Sequence, residues 1–107
     1  MMKPEPPVCA GPDLNTRKPA FALPPGATDC HAHVFGGRKR YGYAPDRLYT
    51  PPPVFLKDYL AMLDALGVAR AVIVQSGVHG TNNNVVVDAI AQSNGRLKAI
   101  TKSGLRP

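Results

Sequence analysis

Ala27-Thr28-Asp29-Cys30-His31-Ala32-His33-Val34-Phe35 is the stretch on which the reading of this chain turns. As a strand over 27–34, its period of two puts Asp29, His31 and His33 on one face. Thr28, Cys30, Ala32 and Val34 fall on the other, where Cys30 is expected as a small buried hydrophobe. Three titratable side chains in register are of little use to a purely structural strand. Two imidazoles one residue apart can converge on a metal ion or hold an acidic substrate at the open end of a sheet. The competing reading is a pair of hydrogen-bonded histidines that merely close a strand.

The surrounding chain bounds the choice. Its 107 residues suffice for one small domain burying about 60–65% of its unfolded surface. Seven of the twelve prolines fall in the first 25 residues, so residues 1–25 are expected as an extended tail, with Phe21 and Leu23 able to dock on the domain. The formal charge of +6 invites a nucleic-acid partner. Only Arg38-Lys39-Arg40 clusters, however, and no stacking platform or zinc-knuckle spacing accompanies it. A short basic run of this kind is expected as solvated surface or the rim of an anion site. Cys9 and Cys30 are too few for a disulfide framework, and no apolar run approaches a membrane span or a secretion signal. These features suit a cytoplasmic protein with neither a nucleic-acid nor a membrane partner.

After the first strand comes a loop over 36–52, holding Gly36-Gly37, the basic run, Tyr41, Tyr43 and Tyr49, and ending in Pro51-Pro52-Pro53. A loop of that length without periodicity is usually functional or disordered, and three tyrosines argue against disorder. Leu56, Tyr59, Leu60, Leu63 and Leu66 recur at spacings of three and four, predicting a helix over 54–66 closed by Gly67. Residues 69–75 form an almost continuous apolar run, as in a parallel strand covered on both faces. A glycine-punctuated loop over 76–81 leads to a helix over 82–93, capped by Thr81 or Asn82, and a short strand over 96–103. Strand, helix, strand, helix, strand makes a parallel α/β unit. Active groups in such units gather outside the carboxyl ends of the strands. His31 and His33 end the first strand, and Gln75, Ser76 and His79 follow the second. Both polar clusters therefore fall on one edge of the sheet.

These residues also carry a family signature. Thr28-Asp29-Cys30-His31-Ala32-His33-Val34-Phe35 resembles the first strand of the amidohydrolase superfamily, and more narrowly its branch containing 2-pyrone-4,6-dicarboxylate lactonase. Tyr43-Ala44-Pro45, Tyr49-Thr50-Pro51, Leu63-Asp64-Ala65-Leu66-Gly67, Val72-Ile73-Val74-Gln75 and His79-Gly80-Thr81-Asn82-Asn83 match that branch in order and spacing. The resemblance spans residues 24 to about 100 and implies a (β/α)8 barrel hydrolase acting on a carboxylate-bearing lactone, ester or amide. It implies that His31 and His33 are catalytic, binding a divalent metal such as zinc or manganese, or polarising the substrate without one as in the pyrone lactonase branch. It implies substrate contacts from Tyr49 and Ser76, with His79 beside the pocket. A barrel needs roughly 250 residues, so the chain is expected to be an N-terminal part of one, three strands and two helices long. Lys98, Ile100 and Lys102 on one face of the last strand suit a barrel poorly, which points to an interrupted chain.

Each candidate has a plainer alternative. Asp29 either orients His31 or is a buried carboxylate paired with an arginine. Tyr41 and Tyr43 are expected to plug the loop against the sheet, and His79 either caps a turn or walls the pocket. For the chain as a whole, a non-catalytic remnant, a small α/β binding module and a nucleic-acid binder using Arg38–Arg40 with the tyrosines remain open.

Overall fold

A computed structural model describes residues 5–103. The order of elements is β1 (Thr28–Ala32), α1 (Arg38–Tyr41), α2 (Leu56–Leu66), β2 (Arg70–Val74), a 3-10 turn (Gly77–His79), α3 (Asn84–Ala91) and β3 (Leu97–Ile100). The strands form one parallel sheet in the order β1-β2-β3. Strand, helix, strand, helix, strand with consecutive neighbours paired is the opening part of a (β/α)8 barrel.

The core lies between the sheet and its two longer helices. Tyr59 and Leu63 of α2, Val85, Val86 and Ala89 of α3, Ala71 and Ile73 of β2, and Leu97 of β3 form one buried cluster with Val34. The apolar stripe predicted for the first helix is thus the face that packs. Its C-terminus closes as expected on Gly67, at φ 75°. The Val68 N–H donates to the Leu63 carbonyl at 2.8 Å and the Gly67 N–H to the Asp64 carbonyl at 3.2 Å, so two carbonyls at the helix end are satisfied. The helix itself starts at Leu56, because Val54 is taken by a bridge to Phe35.

Three expectations need correction. Cys30 is exposed, not buried. Asp29 does not share a face with His31 and His33, because β1 carries a bulge. Asp29 pairs with Ala71 but Ala32 with Ile73, three residues against two. Both partners are core residues, so Asp29 is turned to the helix side while the extra residue resets the alternation before His33. The N-terminal segment is also less detached than its prolines suggest, since Val8 pairs with Thr50 in the long loop. Phe21 stays exposed and Leu23 is half-buried. In β3, Leu97 and Ala99 meet the core, which leaves Lys98 and Ile100 in register with Val72 and Val74 on the opposite face.

Candidate active site

β1 delivers His31 and His33 to its carboxyl end, where their rings meet edge to face at 5.2 Å. His33 Nδ1 lies 2.8 Å from the Val74 carbonyl at the end of β2. A carbonyl can only accept, so Nδ1 is the donor in this contact and Nε2 takes no part in it. Asp29 accepts the His31 backbone N–H at 3.1 Å on one oxygen and the Tyr59 hydroxyl at 2.7 Å on the other. It therefore fixes the backbone at the bulge and pairs with a tyrosine, where an arginine was the expected alternative. Burial, then that hydrogen bond, pushes the Tyr59 phenol well above the usual tyrosine range.

Phe35 joins the histidines to the loop and to the second strand end. Its ring lies 6.1 Å from His33, 6.3 Å from Tyr49 and 6.4 Å from His79. His31, His33, Tyr49 and His79 are thus brought into one chain of ring contacts. Ser76 stands apart from it: it is buried, and its hydroxyl accepts the Val78 N–H at 3.2 Å as the cap of the 3-10 turn. His79 is buried and donates Nδ1–H to the Gly42 carbonyl at 2.8 Å. Its Nε2 has no hydrogen-bond partner among the described residues, and neither has the buried Oε1 of Gln75. Tyr43 lies 5.3 Å from His79 and Tyr41 6.1 Å, while the Tyr41 hydroxyl donates to Asp88 at 2.6 Å. Both rings pack the loop down, and burial raises both phenols.

Sequence reasoning missed Phe35 and Arg47. Phe35 continues the alternation of His31 and His33, so its signal was present. Arg47 gave none, yet its side chain is only 3% exposed. The basic run is exposed, as expected of solvated surface, with Arg38 paired to Glu5 and Arg40 to Asp88 at 3.6 Å. A cavity of about 410 Å³ between Val34–Gly37, Tyr41, the start of α2 and α3 lies on the helix side and is lined by none of the five candidates.

The metal expectation can be tested on the ring geometry. Two imidazoles bound through one nitrogen each to a tetrahedral ion have centroids about 5 Å apart, given metal–nitrogen bonds of about 2 Å. His31 and His33, at 5.2 Å and with His33 Nε2 not engaged by Val74, are spaced as two such ligands would be. No group of three or more His, Cys, Asp or Glu is placed to hold an ion among the described residues, so the pair fits only part of a site.

A family model described as amidohydrolase matches residues 28–107, a span that begins at β1 and takes in every element described above. The chain belongs to the amidohydrolase family. Among curated proteins, this amidohydrolase is 46% identical over 96 residues to a 4-sulfomuconolactone hydrolase of Rhizobium radiobacter. It is 43% identical over 86 residues to a 2-pyrone-4,6-dicarboxylate hydrolase of Comamonas testosteroni. These alignments take in 90% and 80% of the chain but 32% and 28% of the relatives, so the chain spans about a third of their length. Among solved structures, it resembles a probable 2-pyrone-4,6-dicarboxylic acid hydrolase from Acinetobacter baumannii with citric acid bound. That likeness has a TM-score of 0.67 at 30% identity, over 73% of this chain and 29% of the other. An Agrobacterium tumefaciens protein shares the fold, with a TM-score of 0.72 at 24% identity, over 86% of this chain and 32% of the other. No described helix is long and apolar enough to cross a membrane.

Proposed function

We propose that the amidohydrolase hydrolyses a carboxylate-bearing lactone by attack of water on the ring carbonyl. The observation that carries this reading is the contiguous cluster His31–His33–Phe35–Tyr49/His79 at the carboxyl ends of β1 and β2. Tyr49, Ser76 and His79 are proposed substrate contacts. The Ser76 hydroxyl, already accepting one hydrogen bond, can still donate to a substrate carboxylate, and the buried His79 ring walls the pocket behind Phe35.

In this mechanism the described residues supply the electrophilic side. His31 and His33 flank the carbonyl, and with its Nδ1–H held by Val74, His33 stabilises the oxyanion that develops as water adds either as an imidazolium donating through Nε2 or through a cation held there. The Val74 carbonyl fixes the His33 tautomer, so Nε2 is the atom presented to the reaction. The superfamily is generally metal-dependent, and His31 and His33 would be the residues that hold a zinc or manganese ion, which would supply Lewis acidity to the carbonyl and to water. The general base and the groups that grip the substrate carboxylates come from residues outside those described here. Two free cysteines suit work in the reducing cytoplasm.

The test is hydrolysis of 2-pyrone-4,6-dicarboxylate and 4-sulfomuconolactone by the full-length protein, followed by ultraviolet absorbance with and without chelator. His31→Asn and His33→Asn are each expected to lower kcat/KM by about 100-fold or more. Full activity in both variants would remove the histidines from the mechanism. Loss on chelation assigns the metal-dependent route, and indifference to chelator assigns the other.

A further inference from the structure

The N-terminal segment is fastened to the loop that carries Tyr49, and most of its hydrogen bonds to that loop converge on two residues. Thr50 is held on three sides. Its N–H donates to the Pro7 carbonyl at 2.7 Å, its carbonyl accepts the Cys9 N–H at 3.1 Å, and its hydroxyl donates to the Pro6 carbonyl at 2.8 Å. Pro6 and Pro7 lack N–H groups and act here only as acceptors, while their fixed φ keeps the segment extended enough to pair as a strand.

Arg47 is the second anchor. Its guanidinium donates to the Thr50 hydroxyl at 3.1 Å, the Ala44 carbonyl at 3.0 Å and Glu5 Oε1 at 3.0 Å. The first two acceptors are neutral, and a cation this deeply buried needs a counter-charge. Glu5 supplies it, and the same carboxylate also holds Arg38. Both arginines stand over the ring of Tyr43, which packs on His79.

We infer that residues 5–9 are a positioning strap for the active-site loop, with Glu5 and Thr50 as its positioning residues. By gripping Thr50, the strap fixes the backbone next to Tyr49 and keeps the Tyr49 ring against Phe35, the ring that links His33 to His79. Its catalytic consequence rests on the reading of Tyr49 as a substrate contact; its structural consequence does not.

The experiment compares the full-length wild-type protein with Glu5→Gln, Glu5→Ala and a variant lacking residues 1–9. Amide hydrogen exchange at Thr50 and the nuclear Overhauser contact between the Tyr49 and Phe35 rings are the readouts. The deletion is expected to speed exchange at Thr50 by roughly tenfold or more and to weaken the ring contact, while Leu63 and Ile73 keep their protection. Glu5→Ala is expected to do so less, and Glu5→Gln least, because an amide still accepts from Arg47. With a hydrolysed lactone as probe, KM is expected to rise about three- to tenfold with kcat less affected. Unchanged exchange at Thr50 and an intact ring contact in the deletion would overturn the strap. So would a deletion, or a Glu5→Ala substitution, that loosens Leu63 and Ile73 as much as Thr50, since the segment would then be general ballast. If the wild type hydrolyses no lactone, the proposed function fails while the exchange measurement still decides the strap.

Discussion

Asp29 shows how one residue changes meaning between chain and fold. Strand alternation groups it with His31 and His33, but the bulge turns its carboxylate to the Tyr59 hydroxyl on α2. Tyr59→Phe removes the donor and leaves the carboxylate with the His31 N–H alone. Denaturant unfolding is expected to show a loss of about 1–2 kcal/mol, and no loss would mean that water replaces the phenol fully. The same pair predicts a pH dependence. The folded state holds the Tyr59 proton more tightly than the unfolded state does. The stabilisation is therefore complete below the ordinary tyrosine value of 10 and declines as pH rises beyond it. Tyr41 and Tyr43 shift the same way, so absorbance titration of the phenols should show ionisation delayed past that value. Tyr59→Phe should make the alkaline loss of stability shallower.

Elements were legible where local pattern and packing agree. The stripe from Leu56 to Leu66 names its buried face, and Gly67 names the stop. Nothing lies within 4 Å of a Cβ built on Gly67, so the cost of Gly67→Ala is its backbone alone. At φ 75° that cost is about 1–2 kcal/mol, read as a lower denaturant midpoint with the slope unchanged. A wild-type midpoint would mean that the helix end relaxes without strain. The long loop was the harder case. Arg38–Tyr41 turns as a short helix, with no periodicity to announce it. The cap expected at Thr81 or Asn82 sits at Asn83, although the Asn82 side chain does accept the Asn84 N–H at 3.2 Å.

At the scale of the molecule, β1 and β3 each pair only with β2 among the described residues. Their outer edges carry the unpaired backbone groups that a closed barrel satisfies with further strands. A polypeptide of residues 1–107 expressed alone is expected to self-associate through these edges. Sedimentation should show higher species at micromolar concentration, and Ile100→Lys, at a position 57% exposed on β3, should reduce them. A monodisperse monomer at all concentrations would count against edge pairing.

Much of this protein follows from the chain alone. The parallel strand–helix–strand order, the helix faces and the placement of His31, His33 and His79 at one sheet edge all rest on local periodicity and residue chemistry, which short windows of sequence contain. The bulge that separates Asp29 from the histidines, the burial of Arg47 and the strap from Glu5 to Cys9 were decided by the tertiary structure. Each depends on a partner some 30 to 45 residues away: Asp29 on Tyr59, Arg47 on Glu5, and Cys9 on Thr50. The worth of a buried charge or an unpaired backbone group is set by what the fold brings beside it, and no local pattern records that.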